Sequence, residues 1–321
     1  MSTIPLTFDE NLPSCTILGG KEKLGNIKYP VSVLLLSRNT GSLKSQTLEI
    51  LVNSGFEQII AIESVKDNYR LENYVKKFPQ IKFLVPVDKI SVGEMINLGM
   101  NECYSDYLLV LWDDLVLKNQ MFNDLLINKI LSTQCVCFSP VFINTHMQNI
   151  PVQMQPKIEK SSFEIQPSQV IYDNTITLYP FDFVGFYNKK KFVNLCGFDT
   201  TIKSPYWQNL DFSVRTWLWG EKIISSPIFR LSYAISEPIL DSTVDESYFR
   251  FYLKNIAPVY KVDYGYIPIS YFFQFHKNSA LSFSNALKEF KIARKWVAKN
   301  SFRFKMDINK LCIDWEDGKL K

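Results

Sequence analysis

No apolar run in this 321-residue chain approaches the roughly 18 residues needed to span a bilayer. The opening, MSTIPLTFDENLP, lacks the basic and apolar regions of a signal peptide. The chain also lacks CxxC pairs. Cys15, Cys103, Cys135, Cys137, Cys196 and Cys312 are scattered, mostly in apolar stretches. That argues against a zinc site and for buried free thiols in a reducing compartment, so a cytoplasmic protein is expected. A strong excess of either charge is lacking too. A dispersed net charge of +4 does not support nucleic-acid binding. It leaves room for a phosphate-bearing ligand, or for peripheral contact with the inner face of an acidic membrane. There is no internal repeat, and the lone histidines His146 and His276 are read as structural or exposed rather than as metal ligands.

What the chain does have is 46% hydrophobic and 14% aromatic residues, enough for a globular fold with a large core. Its organising stretch runs from Gly93 to Leu117. An amphipathic helix breaks at Ser105-Asp106, and an apolar run from Tyr107 to Trp112 stops at Asp113 and Asp114. The run has strand length and no period-2 alternation, as expected of a strand buried on both faces. Open α/β sheets bind ligands at the carboxyl ends of such strands.

Three more strand-and-helix units precede it. Val31–Leu36, Ile59–Ile62 and Ile81–Val85 read as strands, with helices over 43–52 and 69–78 between them. The alternation predicts a parallel, doubly wound sheet. Polar tails follow each strand: Ser37-Arg38-Asn39, Glu63-Ser64, Asp88 and Asp113-Asp114. Beyond it, a helix over 122–131 and a strand over 135–143 are expected. Residues 144–174, rich in Gln, Pro, Ser and Asn, read as an irregular insertion. Phe181–Tyr187 reads as a strand, Lys189–Lys191 as a solvated helix start, and Gln208–Trp219 as an amphipathic helix ended by Gly220. Asp211 and Arg215 stand one turn apart, the spacing of a surface ion pair. Residues 240–321 are aromatic-rich and basic, with helices around 247–255 and 284–300. They form an extension that packs on the main domain, makes a homodimer contact or touches a membrane. The expected division is an irregular segment 1–29, a main domain 30–237 and a mainly helical extension 238–321.

The order of pieces over residues 31–225 resembles a family-2 glycosyltransferase with the nucleotide-sugar-binding GT-A fold. VSVLLLSRN is similar to the family's opening strand and nucleobase turn, and Glu63 stands where an acid usually contacts base or ribose. GEMINLG resembles the Gly-rich, Asn-containing helix start. SDYLLVLWDD resembles the strand ending in Asp-any-Asp, and CGFDTTI with QNLDFSVR the acceptor-side segment. The resemblance implies an α/β, Rossmann-like, mostly parallel sheet flanked by helices, with the C-terminal helical extension added. It also implies sugar transfer from a nucleotide-sugar donor to a glycan, lipid or protein acceptor, assisted by Mn²⁺ or Mg²⁺. Asp113 and Asp114 would hold the cation, and Ser37, Asn39, Glu63, Gly93, Asn97 and Arg215 would line the donor site. The chain departs from the family at Trp112, in place of the first metal acid, at Asn209, in place of the base, and at Cys196, in place of a glycine. Asp211 is then the remaining base candidate. The alternative is a degenerate transferase domain that binds or scaffolds without catalysing.

Overall fold

The computed structural model describes residues 12–38, 43–63, 68–144, 146–159, 162–170 and 172–320. The main-domain strands are β1 (Cys15–Gly19), β2 (Tyr29–Leu36), β3 (Phe56–Ile62), β4 (Lys82–Pro86), β5 (Tyr107–Trp112), β6 (Cys137–Ile143), β7 (Gln153–Glu159), β8 (Ser162–Ser168), β9 (Thr175–Ile176), β10 (Gly185–Asn188) and β11 (Ile223–Ser232). Nine of them form one sheet in the order β1-β4-β3-β2-β5-β10-β6-β11-β9. β4, β3, β2 and β5 run parallel, as do β6 and β11. β10 is inserted antiparallel between β5 and β6, and β1 and β9 are antiparallel edges. The expected mostly parallel α/β sheet is therefore present.

β2 and β5 are buried along nearly their whole length, which is why both read as unbroken apolar runs. Their register pairs Leu36 with Trp112, so the polar tails that follow leave the sheet side by side. From β2 the chain proceeds to β3 on one side, while β5 lies on the other. This reversal of strand order opens a crevice at the carboxyl ends of β2 and β5.

The helices that flank the sheet are α1 (Lys44–Val52), α2 (Asn68–Lys77), α3 (Val92–Glu102), α4 (Asp124–Ser132), α5 (Lys189–Asn194) and α6 (Pro205–Leu218). α3 starts at a reciprocal cap, where the Ser91 side chain accepts from the Glu94 amide and the Glu94 side chain accepts from the Ser91 amide. α5 begins at the lysine triplet. Lys189 donates to the Cys103 carbonyl and Lys191 pairs with Glu221.

The remaining elements are α7 (Glu246–Phe251), which continues as a π turn over Tyr252–Ile256, the hairpin β12 (Val259–Lys261) and β13 (Tyr264–Tyr266), α8 (Tyr271–Ser279), α9 (Phe283–Lys299) and α10 (Ile308–Glu316). They cover the outer face of α6. Trp207 stacks on Phe251 at 5.4 Å, Trp219 on Trp296 at 6.0 Å, and Trp217 meets Trp315 edge-on at 4.9 Å. His276 lies against Phe272 and Phe283 in this aromatic packing, and His146 is exposed.

Four expectations need correction. Within the segment 1–29, expected to be irregular, Cys15–Gly19 is a strand paired antiparallel with β4. Residues 144–174 are not simply irregular, because β7 and β8 pair as an antiparallel hairpin from Gln153↔Ser168 to Glu159↔Ser162. Met154, Pro156, Ile158, Phe163 and Ile165 alternate with Gln, Lys and Glu. The hairpin leans on the extension through Phe163 against Phe251. Of the expected 181–187 strand only 185–187 is strand, and it runs on to Asn188. Phe181–Phe183 is a tight 3₁₀ turn with Asp182 and Phe183 at φ +55° and +63°. The Asp211–Arg215 pair is not at the surface. Both side chains are buried.

Among the described residues no helix is long and apolar enough to cross a membrane. The six cysteines are free. Burial pushes the Cys135 thiol up to about 12 and the Cys137 thiol well above its ordinary value, so neither is a nucleophile near neutral pH.

Candidate functional site

At the end of β5 the Asp113 amide donates to the Leu36 carbonyl, prolonging the ladder by one residue. This turns the Asp113 carboxylate beneath the end of β2. There the Ser37 hydroxyl donates to one of its oxygens at 2.5 Å and the Arg38 amide to the other at 2.9 Å. The Asp113 side chain is fully buried. Lys44, from the first turn of α1, reaches Glu63 at the end of β3 and donates to the Ser37 hydroxyl at 3.3 Å. Three of the polar tails, carrying Ser37, Glu63 and Asp113, thus meet at one edge. Asp88 stays exposed and apart. Asn39 lies outside the described residues.

Beside this cluster the Arg38 side chain lies flat over the Trp112 ring, 3.8 Å from its centroid. One guanidinium nitrogen holds both oxygens of Asp114, at 3.0 and 3.3 Å. The other holds Asp182. Asp182 reaches this position from the 3₁₀ turn. The Trp112 indole donates to its carbonyl at 2.9 Å, and the Tyr233 hydroxyl donates to its second carboxylate oxygen at 2.9 Å. Burial raises the Asp182 carboxyl above its ordinary value, opposed by the Arg38 and Tyr233 contacts. The composition pointed to none of this. The available signal was a single acid inside the apolar run Tyr179–Tyr187, where an unpaired charge would be costly.

Arg38, Trp112 and Asp182 form one wall of a cleft of about 220 Å³. Asn209, Tyr206, Ile239 and Asp241 also line it. The Asn209 amide donates to the Pro180 carbonyl at 2.8 Å, so it tethers the turn that carries Asp182. An amide can hold that carbonyl, whereas a carboxylate would repel it.

Gly93 and Asn97, expected at the donor, instead join α3 to its neighbours. Asn97 exchanges two 2.9 Å hydrogen bonds with the backbone of Phe198, and the Gly93 amide donates to Gln208 at 2.8 Å. A side chain at Gly93 would meet Gln208 and Phe198 at 2.5 and 2.6 Å, which explains a glycine on this helix face. Cys196 and Gly197 turn the chain at φ +65° and +59°, a conformation that favours the glycine missing at position 196.

Asp211 and Arg215 do not reach the cleft. Arg215 donates to Asp211 at 2.5 Å and to the Gly197 carbonyl at 2.5 Å. Asn255 donates to the second Asp211 oxygen at 2.7 Å, and Lys254 lies 3.5 Å from it. Both Asp211 oxygens are therefore engaged, one by Arg215 of its own helix and the other by Asn255 and Lys254 of the extension. This corrects the expectations of a base at Asp211 and a donor contact at Arg215. Arg215 and Lys254 also border the larger cavity, of about 560 Å³, between α6 and α9.

Lys254 pairs with Asp199 at 2.6 Å as well. Burial works against the Asp199 charge. Lys254, with the Thr201 amide and hydroxyl, nevertheless holds its carboxyl well below the usual carboxylate range. Between the ordinary aspartate value of about 4 and that lower value, the unfolded chain takes up a proton that the folded one does not. The stabilisation is complete above about pH 4 and is lost as pH falls below it. Asp199→Asn is expected to flatten the fall in melting temperature between about pH 4 and pH 2, measured by acid titration against the wild type. An unchanged slope would remove Asp199 from that account.

Mg²⁺ and Mn²⁺ take oxygen ligands, often one or two carboxylates with substrate phosphates and water. Asp113 does not fit that role, since both oxygens are engaged and the side chain is sealed. Asp114 does fit, and Asp182 faces the same point from the other side, where both now grip Arg38. Of the expected pair Asp113 and Asp114, only Asp114 is open to the cleft side, and Asp182 stands opposite it across Arg38. Two carboxylates suit a cation that completes its shell from phosphate. Among the described residues no three His, Cys, Asp or Glu side chains form a closed metal site.

No protein-family model and no curated protein sequence matches this chain. Solved structures do. GalNAc-T7, crystallised with UDP, GalNAc and Mn²⁺, superposes with a TM-score of 0.58 at 14% identity, over 87% of this chain and 57% of that one. TarS of S. aureus superposes with a TM-score of 0.50 at 12% identity, over 81% of this chain and 42% of that one. The chain spans about half the length of these two structures. The chain has the fold of the GT-A glycosyltransferases.

Proposed function

We propose that the chain is a glycosyltransferase that moves a sugar from a nucleotide-sugar donor to a glycan, lipid or protein acceptor, assisted by Mn²⁺ or Mg²⁺. The observation that carries this is the Arg38–Asp114–Asp182 cluster, set at the switch point of a parallel sheet beside a lined cleft. Ser37 and Glu63 stand on the nucleoside side. Asp114 and Asp182 would hold the cation, which when bound supplies a Lewis acid for the leaving diphosphate. Arg38 lies where phosphate oxygens arrive, and a guanidinium suits them geometrically. Tyr206 and Ile239 border the acceptor side. Asp241 is the cleft carboxylate that no arginine engages. The Thr243 hydroxyl and amide donate to one of its oxygens and hold it in place, and this carboxylate would take the acceptor's proton. The six free cysteines support work in the cytoplasm.

Thermal unfolding with UDP-, GDP- and TDP-sugars, with and without Mn²⁺, tests the reading. One nucleotide class with Mn²⁺ is expected to raise the melting temperature by about 5 °C at a hundredfold excess over Kd. No shift with any donor would sink it. A second reading, a domain of this fold that binds without catalysing, rests on Asn209 standing as a tether where the family has its base. Stabilisation by a donor, with neither hydrolysis nor transfer in an acceptor screen, selects that one.

A further inference from the structure

We propose that Arg38 is a built-in competitor for the cation, and that the donor diphosphate and the divalent ion exchange with it together. This rests on the transferase reading and adds a role for Arg38 and for Asp182. Arg38 is the positive charge that Asp114 and Asp182 share. While it stays there, a metal ion finds both Asp114 oxygens and one Asp182 oxygen taken.

The remaining contacts show how it can leave. Asp182 keeps the Tyr233 hydroxyl on its other oxygen and the Trp112 indole on its carbonyl, so its position does not depend on Arg38. The guanidinium rests on the Trp112 ring where both line the cleft, so its way out is into the cleft. Charge balance then sets the order. Arg38 with two carboxylates carries one net negative charge. If Arg38 swings off alone, two partly buried carboxylates face each other without a counter-charge, which is costly. A divalent cation arriving alone meets carboxylates already paired with Arg38, and displacing it would leave the guanidinium without an anion. When a sugar nucleotide, with two negative charges on its diphosphate, arrives with a divalent cation, the sum is unchanged. Arg38 then trades two carboxylates for phosphate oxygens, a bidentate partner of equal quality.

The exchange therefore predicts synergy: neither Mn²⁺ nor diphosphate binds well without the other. Mn²⁺ binding to the full-length protein, read from the electron paramagnetic resonance of the free ion, tests it without reference to turnover. UDP and GDP serve as the diphosphate probes. The wild type is expected to bind Mn²⁺ at least tenfold more weakly alone than with the diphosphate it accepts. Arg38→Gln is expected to bind Mn²⁺ alone at least tenfold more tightly than the wild type. Arg38→Lys, which keeps the charge, is expected to stay close to the wild type, and circular dichroism checks that both variants fold. Equal Mn²⁺ affinity in wild type and Arg38→Gln overturns the proposal. So does diphosphate binding at full strength without Mn²⁺. Failure of the wild type to bind either diphosphate under any condition overturns the transferase reading itself.

Discussion

Asp211→Ala is expected to destabilise the protein by about 3–5 kcal/mol, the cost of removing one partner from a buried ion pair. In a domain of this size that lowers the melting temperature by roughly 6–15 °C. The substitution leaves Arg215 buried with only the Gly197 carbonyl, and takes from Lys254 one of its two carboxylates. It also strands the Asn255 amide, which donates to Asp211 from the extension. Replacing the whole pair, as Asp211→Leu with Arg215→Met, removes both charges together and is expected to cost less than the single change. Turnover per folded molecule is expected to survive, because Asp211 touches no cleft atom. Thermal melts beside transfer assays decide the matter. An Asp211→Ala protein with normal stability and abolished turnover would make Asp211 the base after all.

Asp114→Asn is expected to do the reverse. Asp114 keeps some exposure, and without it Arg38 still has Asp182 and the Trp112 ring. Stability is expected to fall less than on Asp211→Ala, because Arg38 keeps Asp182 as its counter-charge. An amide at this position offers a cation one neutral oxygen in place of a charge. The several kcal/mol of transition-state stabilisation that a bound ion supplies would largely go. Donor-dependent transfer is expected to fall by about 10²–10³, at 1.36 kcal/mol per decade. Unchanged transfer at unchanged stability would remove Asp114 from the cation site.

The strands, helices and sheet polarity were legible because their signals are local. Val31–Leu36 and Tyr107–Trp112 are apolar without alternation, as residues buried on both faces must be. The meeting of Ser37, Glu63 and Asp113 followed from parallel strands ending at one edge. The β7–β8 hairpin was not legible from composition, since its polar face supplied the Gln and Lys that looked like a loop. The same limit hid Asp182. Only the 3₁₀ turn, held by Asn209 through Pro180, carries that acid to Arg38, 144 residues away in the chain.

By itself the sequence determined which segments are buried, that they alternate as strand and helix, and that acids stand at the strand ends. Hydrophobic period and length settle those properties within a few turns of chain. Tertiary structure alone decided which acids share a charge. Asp113 lies sealed under Ser37, Asp114 and Asp182 close on Arg38, and Asp211 is covered by an extension that begins after its helix has ended. A carboxylate's role depends on what desolvates and pairs with it. Those partners come from residues that periodicity cannot relate.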